Sequence, residues 1–147
     1  TVAKPAPALT DSAEITASTD YYTGLNDGFD PKTSGDTDKS YFYWWQKEGS
    51  DEWVEYNFTE PVSLSQSSVY WLNMDHYDGN YRAPESWSLQ VKDSKGNWKP
   101  VETADAYSTA IDQYNTVKFA PVITKAIRLN ARLQKDASGG IHEWKVN

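Results

Sequence analysis

The chain has 147 residues, the length of one domain, and sets 14 Lys plus Arg against 21 Asp plus Glu for a formal charge of -7. That sign repels phosphate backbones and anionic lipid, so neither nucleic acid nor a membrane is an expected partner, and no apolar run approaches the roughly 20 residues that span a bilayer. Cysteine is absent, which excludes disulfides, thiolate zinc sites and a cysteine nucleophile, and a domain of about 150 residues buries roughly 68 to 70% of its unfolded surface without such staples.

Residues 1–10, TVAKPAPALT, read as an extended Pro- and Ala-containing linker, followed by a single domain over 11–147. Strand signals then dominate. EITAS at 14–18, WVEYNF at 53–58, SVYWL at 68–72, SWSLQVK at 86–92, WKPV at 98–101, NTVKF at 115–119, AIRLNARL at 126–133 and HEWKV at 142–146 alternate in polarity or favour β-branched and aromatic side chains. DSKGN at 93–97 predicts a hairpin turn, because Gly96 accepts positive φ and Asp93 can bond its own backbone. The stretch 102–111 lacks a 3.6-residue apolar stripe, so at most a short turn is expected there. About eight mainly antiparallel strands imply an all-β sandwich.

Seven Trp, ten Tyr and four Phe are too many rings for all of them to be core in so polar a chain. Trp53, Trp71, Trp87 and Trp144 fall at alternating strand positions and are first of all fold residues. Tyr41, Tyr43, Trp44 and Trp45 in YFYWW cannot all point inward once alternation is respected, so one or two of them should be exposed.

Two loop regions carry chemistry. From Leu25 to Trp45 the chain gathers Asp27, Asp30, Asp36 and Asp38 with Gly28, Thr33, Ser34 and Gly35. Hard oxygens on a turning backbone suit Ca²⁺, although the EF-hand register is missing, and a solvated acidic loop remains the alternative. From Asn73 to Trp87 the chain places Asp75, His76, Tyr77, Asp78, Tyr81 and Arg82 between two strands. Rings to stack on a pyranose beside charged groups that bond its hydroxyls make this a sugar-recognition surface with Arg82 as the fork. A second reading, which can hold together with the first, is that Arg82 pairs with Asp75 or Asp78 to hold the loop closed, while Pro84 sets the entry to the next strand.

The LNDG segment after ITAS, together with YWW, WVEYNF, VYWL, RAPESW, SLQV, NWKPV, YNTVKFAPV and the closing GGIHEWKV, resembles the galactose-binding-like jelly rolls. These include coagulation factor 5/8 type C (discoidin) domains and family 32 carbohydrate-binding modules, and the nearest resemblance is to accessory domains of Bacteroidetes-type bacterial glycoside hydrolases. The resemblance implies a structural Ca²⁺ held by Leu25, Asp27, Asp30, Ser34 and Glu143. It also implies sugar-binding loops at one end of the sandwich that bring Tyr43 or Trp45 towards Asp75, His76, Tyr77, Tyr81 and Arg82. The expected function is that of a noncatalytic, monomeric carbohydrate-binding module, extracellular, periplasmic or on the cell surface, that targets the catalytic domain of a parent glycoside hydrolase to a glycan. An interdomain scaffold without glycan affinity is the alternative. A polysaccharide lyase built on His76, Tyr77 and Arg82 is a third reading, without supporting polar residues elsewhere in the sequence.

Overall fold

The structure, a computed structural model, describes residues 10, 13–20, 24–38, 40–75 and 79–147. Its strands are β1 (Glu14–Ala17), β2 (Phe42–Tyr43), β3 (Asp51–Trp71), β4 (Ser86–Lys92), β5 (Trp98–Pro100), β6 (Tyr114–Arg132) and β7 (Gly140–Val146). All pairings between them are antiparallel, in the order β2-β7-β3-β6-β4-β5, with β1 beside β3. The expected all-β, antiparallel sandwich is what forms.

Two pairs of expected strands are each one strand. WVEYNF and SVYWL both lie in β3, and NTVKF and AIRLNARL both lie in β6. The polar, Pro-containing stretches between them read as turns, yet they stay extended because each is the other's partner: Val62, Ser63 and Leu64 face Thr124, Ile123 and Val122. Register shifts between Asn57 and Val62 and between Leu64 and Gln66 bend this ribbon, as bulges do where strands pass from one sheet of a sandwich to the other. The first half of β3 and the second half of β6 thus form one layer with β1, β4 and β5, and their other halves form the second layer with β7 and β2.

Alternation fills the space between the layers. Val54, Tyr56, Ile127, Leu129 and Leu89 enter from the first layer, and Val69, Trp71, Val117, Ile141 and Trp144 enter from the second; all ten are fully buried. Rings meet across the seam: Tyr56 stacks on Trp144 at 4.3 Å, and Trp71 meets Trp87 edge-on at 5.4 Å. Three of the four polar tips are satisfied, Tyr56 Oη donating to the Trp144 carbonyl at 2.7 Å, Trp144 Nε1 to Ser67 Oγ at 2.9 Å and Trp87 Nε1 to the Ser108 carbonyl at 2.8 Å, whereas Trp71 Nε1 is buried without a partner among the described residues. Of the four strand tryptophans expected in the fold, Trp71, Trp87 and Trp144 are core, whereas Trp53 lies half-buried on the outer sheet face under Arg128.

The smaller expectations divide. The 93–97 turn forms with Gly96 at φ 83°, and Asp93 Oδ1 accepts the Lys95 and Asn97 amides at 2.9 Å each. Residues 102–111 contain no helix. Strand β2 was not expected, because two residues carry no period-2 signal, and it exists through pairing with Ile141 and Gly140. Residues 1–9 of the expected linker lie outside the described residues, and Thr10 belongs to the fold: it is buried and its carbonyl accepts Asn26 Nδ2 at 2.6 Å.

Trp144→Ala removes the stack on Tyr56 and leaves a large void, so equilibrium urea unfolding should show a loss of about 3–5 kcal/mol. Trp144→Phe, which keeps a ring but loses the bond to Ser67, should cost markedly less.

Candidate functional site

The YFYWW segment sorts its rings by alternation. Phe42 and Trp44 are fully buried, and Tyr41, Tyr43 and Trp45 stand half-buried on the opposite side. The strand can lie this close to β7 because Gly140 has no side chain; a Cβ there would sit 2.4 Å from the Phe42 carbonyl oxygen. Trp44 is locked by its amide to the Gly139 carbonyl at 3.0 Å and by its indole N–H to the Trp53 carbonyl at 3.2 Å. Tyr43 and Trp45 are thereby aimed at Tyr81, with centroid separations of 6.0 and 6.1 Å. Tyr81 is itself buried and bridges both Met74 and Ser138 by backbone. Trp45 also lies against Gly79, where the backbone runs at φ 146°.

Arg82 sits behind these rings. Its Nη1 donates to the carbonyls of Tyr81 at 2.8 Å and Met74 at 3.2 Å, and its Nη2 forms a close ion pair with Asp75. The loop-holding reading of this residue is realised, since the guanidinium joins Met74 and Asp75 to Tyr81 across the loop. Asp75 remains largely exposed, with a free edge towards solvent. His76, Tyr77 and Asp78 lie outside the described residues.

The expected metal ligands separate into two groups. Asp27 and Glu143 come together: Glu143 Oε2 accepts the Gly28 amide at 3.1 Å, and burial, aided by the neighbouring Asp27 carboxylate, pushes the Glu143 carboxyl up to about 9. Among the described residues, Glu143 Oε1 is buried without a hydrogen-bond partner. Leu25 is adjacent in the fold, its carbonyl accepting the Trp144 amide at 2.8 Å. The Asp30 carboxylate instead bonds Tyr114 Oη and, at 2.8 Å, Lys145 Nζ, which hold it below its ordinary range. Ser34 forms a reciprocal pair with Asp112, its amide donating to Oδ1 at 2.8 Å and its Oγ accepting the Asp112 amide at 2.7 Å. Among the described residues no three His, Cys, Asp or Glu side chains converge as a metal cluster. Any cation here would therefore draw on two carboxylates and backbone oxygens.

A family model described as the NedA-like, galactose-binding domain of the factor 5/8 type C group matches residues 32–129, about two thirds of the chain. The chain belongs to this family. Chitosan-binding module 1 of a chitosanase/glucanase from Paenibacillus sp. IK-5 superposes with a TM-score of 0.65 at 18% identity, over 95% of this chain and 98% of that one. A structure of the Streptococcus pneumoniae β-galactosidase BgaA gives 0.68 at 17%, over 93% and 92%. The Clostridium perfringens module CpGH89CBM32-5, in complex with GalNAc-β-1,3-galactose, gives 0.64 at 11%, over 96% and 99%. At these identities the likeness is one of fold.

This galactose-binding-like domain also holds a ring ladder that sequence reasoning missed. From Tyr43 it passes to Tyr41 at 5.6 Å, to His142 at 5.9 Å, to Tyr70 at 5.8 Å and to Tyr114 at 5.1 Å, and ends with Lys145 over Tyr114 at 4.8 Å. His142 is the residue bulged out of the register between Tyr70–Glu143 and Trp71–Ile141, so it and Glu143 both miss the core while their neighbours Ile141 and Trp144 fill it. Its Nε2 lies 2.7 Å from the Ser34 carbonyl, and burial holds the imidazole below its ordinary pKa. The sequence signal was the break in alternation within GIHEW, where two polar residues stand side by side between apolar ones.

Arg82→Ala should release the 73–82 loop. Three hydrogen bonds of about 0.5–1.5 kcal/mol each are lost in part to water, so a melting temperature lower by a few degrees is expected, with faster amide hydrogen exchange confined to that loop. Exchange unchanged at Met74 and Tyr81 would contradict the clamp.

Proposed function

We propose that the chain is a noncatalytic carbohydrate-binding module that carries an attached glycoside hydrolase to a glycan outside the cytoplasm. The observation that supports it most is the outward ring pair Tyr43 and Trp45, fixed against Tyr81 beside a polar loop. Such rings offer flat apolar faces to the CH side of a pyranose, and the exposed Asp75 carboxylate offers acceptors for its hydroxyls. His76 and Tyr77 are included in the proposal as sugar-contacting residues. Arg82 contributes by holding the loop and orienting Asp75. The fold is shared with modules that bind chitosan or GalNAc-β-1,3-galactose, which supports the same ligand class here. A shallow site gives weak single-site affinity, offset by avidity with the attached enzyme.

A structural Ca²⁺ is part of the proposal. Asp27 and Glu143 supply its charged ligands, and backbone oxygens near Leu25 and Asp30 complete the shell. The orphaned Glu143 Oε1 supports this, because a buried carboxylate oxygen without a donor is costly and a cation would satisfy it. Its bond would tie the loop after β1 to β7.

A glycan array run with Ca²⁺ should return selective binding that Trp45→Ala weakens about tenfold; silence from folded protein across a broad array would overturn the module reading. Ca²⁺ at a hundredfold excess over its Kd should stabilise the chain by about 2.7 kcal/mol relative to EDTA. Glu143→Gln should abolish that Ca²⁺-dependent shift in melting temperature, and an unchanged shift would remove Glu143 from the ligand set.

A further inference from the structure

The outer face of the first layer carries recognition chemistry of its own. Register places Asp51, Arg132 and Ser86 in one row, Trp53, Asn130 and Ser88 in the next, and Glu55, Arg128 and Gln90 in a third. Between the first two rows lies an open groove of about 370 Å³ lined by Asp51, Trp53, Ser86, Ser88, Asn130 and Arg132.

Three properties of this groove point to one ligand class. Its aromatic wall is fixed in place: the Arg128 guanidinium lies 4.8 Å over the Trp53 ring and 4.4 Å over Trp98, and Glu55 holds it through Nε at 2.8 Å. Its one lining cation, Arg132, is paired with Asp51 at 3.1 Å, Arg128 beside it is paired with Glu55, and the buried Glu52 carboxylate accepts Ser50 Oγ at 2.7 Å, so no unpaired cation is left to attract an anion. The remaining polar groups are neutral and face out. Ser86 and Ser88 are exposed, and Asn130 Nδ2 donates to Gln90 Oε1 at 2.9 Å, which leaves Asn130 Oδ1 and Gln90 Nε2 to accept and donate. An indole wall beside uncharged hydroxyls and amides on a pleated sheet suits a ligand with alternating CH faces and hydroxyls and no charge.

We propose that this groove is a second glycan-binding site, separate from the Tyr43–Trp45 surface, that takes an uncharged oligosaccharide. Charge compensation across the face is what favours that occupant over a phosphorylated or uronate-rich polymer. The site shares no residue with the loop surface, so one chain can grip a polysaccharide at two places, or two neighbouring chains of it.

The test is a ¹H–¹⁵N NMR titration of the whole chain with N-acetylchitohexaose, cellohexaose and β-1,4-galactotetraose, each to millimolar concentration, in wild type, Trp45→Ala and Ser88→Arg. At least one probe should shift the Trp53 indole and Asn130 side-chain amide signals saturably, and those shifts should persist in Trp45→Ala. Ser88→Arg, which fills the groove from an exposed strand position without touching the core, should lose them while signals around Trp45 keep their response. A Trp53→Ala variant should bind the same probe about tenfold more weakly. The proposal is overturned if Trp53 and Asn130 stay unshifted with every probe, if their shifts vanish in Trp45→Ala, or if Ser88→Arg leaves them intact. Shifts at the groove with none at Trp45 would support this site while removing the loop reading.

Discussion

The pairing of β3 with β6 is the interaction on which the rest of the structure depends. Two long strands, Asp51–Trp71 and Tyr114–Arg132, stay hydrogen-bonded across both layers. Every other strand attaches directly or through one neighbour to one half of this bent ribbon. The bend places its two apolar faces opposite each other, which is why Tyr56 from one half and Trp144 beside the other can stack at 4.3 Å. A ribbon whose bulges were lost would stay flat and present both faces to water.

Both candidate sites grow out of irregularities in this regular frame. The bulge at His142 turns two consecutive residues of β7 away from the core, one to the ring ladder and one to Asp27. The loop of residues 25–38 is then fastened over the ladder at Ser34, whose carbonyl meets His142 and the Asn73 amide while its amide and hydroxyl meet Asp112. The candidate cation pair and the candidate glycan-facing rings are therefore parts of one contiguous wall, with Tyr41, His142 and Tyr70 between them. Asp112 holds a positive φ of 60° in this fastening, a conformation that Asp adopts more readily than most residues.

Much of this was legible in the chain. Strands were visible wherever one face is buried and the other wet, as in SWSLQVK, whose observed bounds match the expected ones, because alternation is then a local consequence of burial. The galactose-binding-like family could be read from short apolar and aromatic segments for the same reason. What local pattern could not reveal was continuity: Pro61, Pro121 and their polar neighbours look like turns in isolation, and the chain stays extended past them because Val62, Ser63 and Leu64 pair with Thr124, Ile123 and Val122.

The sequence by itself determined the all-β class, the family and the fact that the rings of YFYWW could not all point inward, and the family resemblance implied the closeness of a loop acid to Glu143. Each of these follows from side-chain periodicity, or from a motif short enough to read in one stretch. Only the tertiary structure decided which acid that was, because Asp27 and Asp30 are separated by three positions yet sent to different partners by Glu143 on one side and Tyr114 and Lys145 on the other. It likewise decided that Arg82 clamps its own loop and that Trp53, Arg128 and Trp98 share one outer face. Contacts of this kind depend on strand register between segments dozens of residues apart, and register is set by the packing of the whole sandwich rather than by any local run of residues.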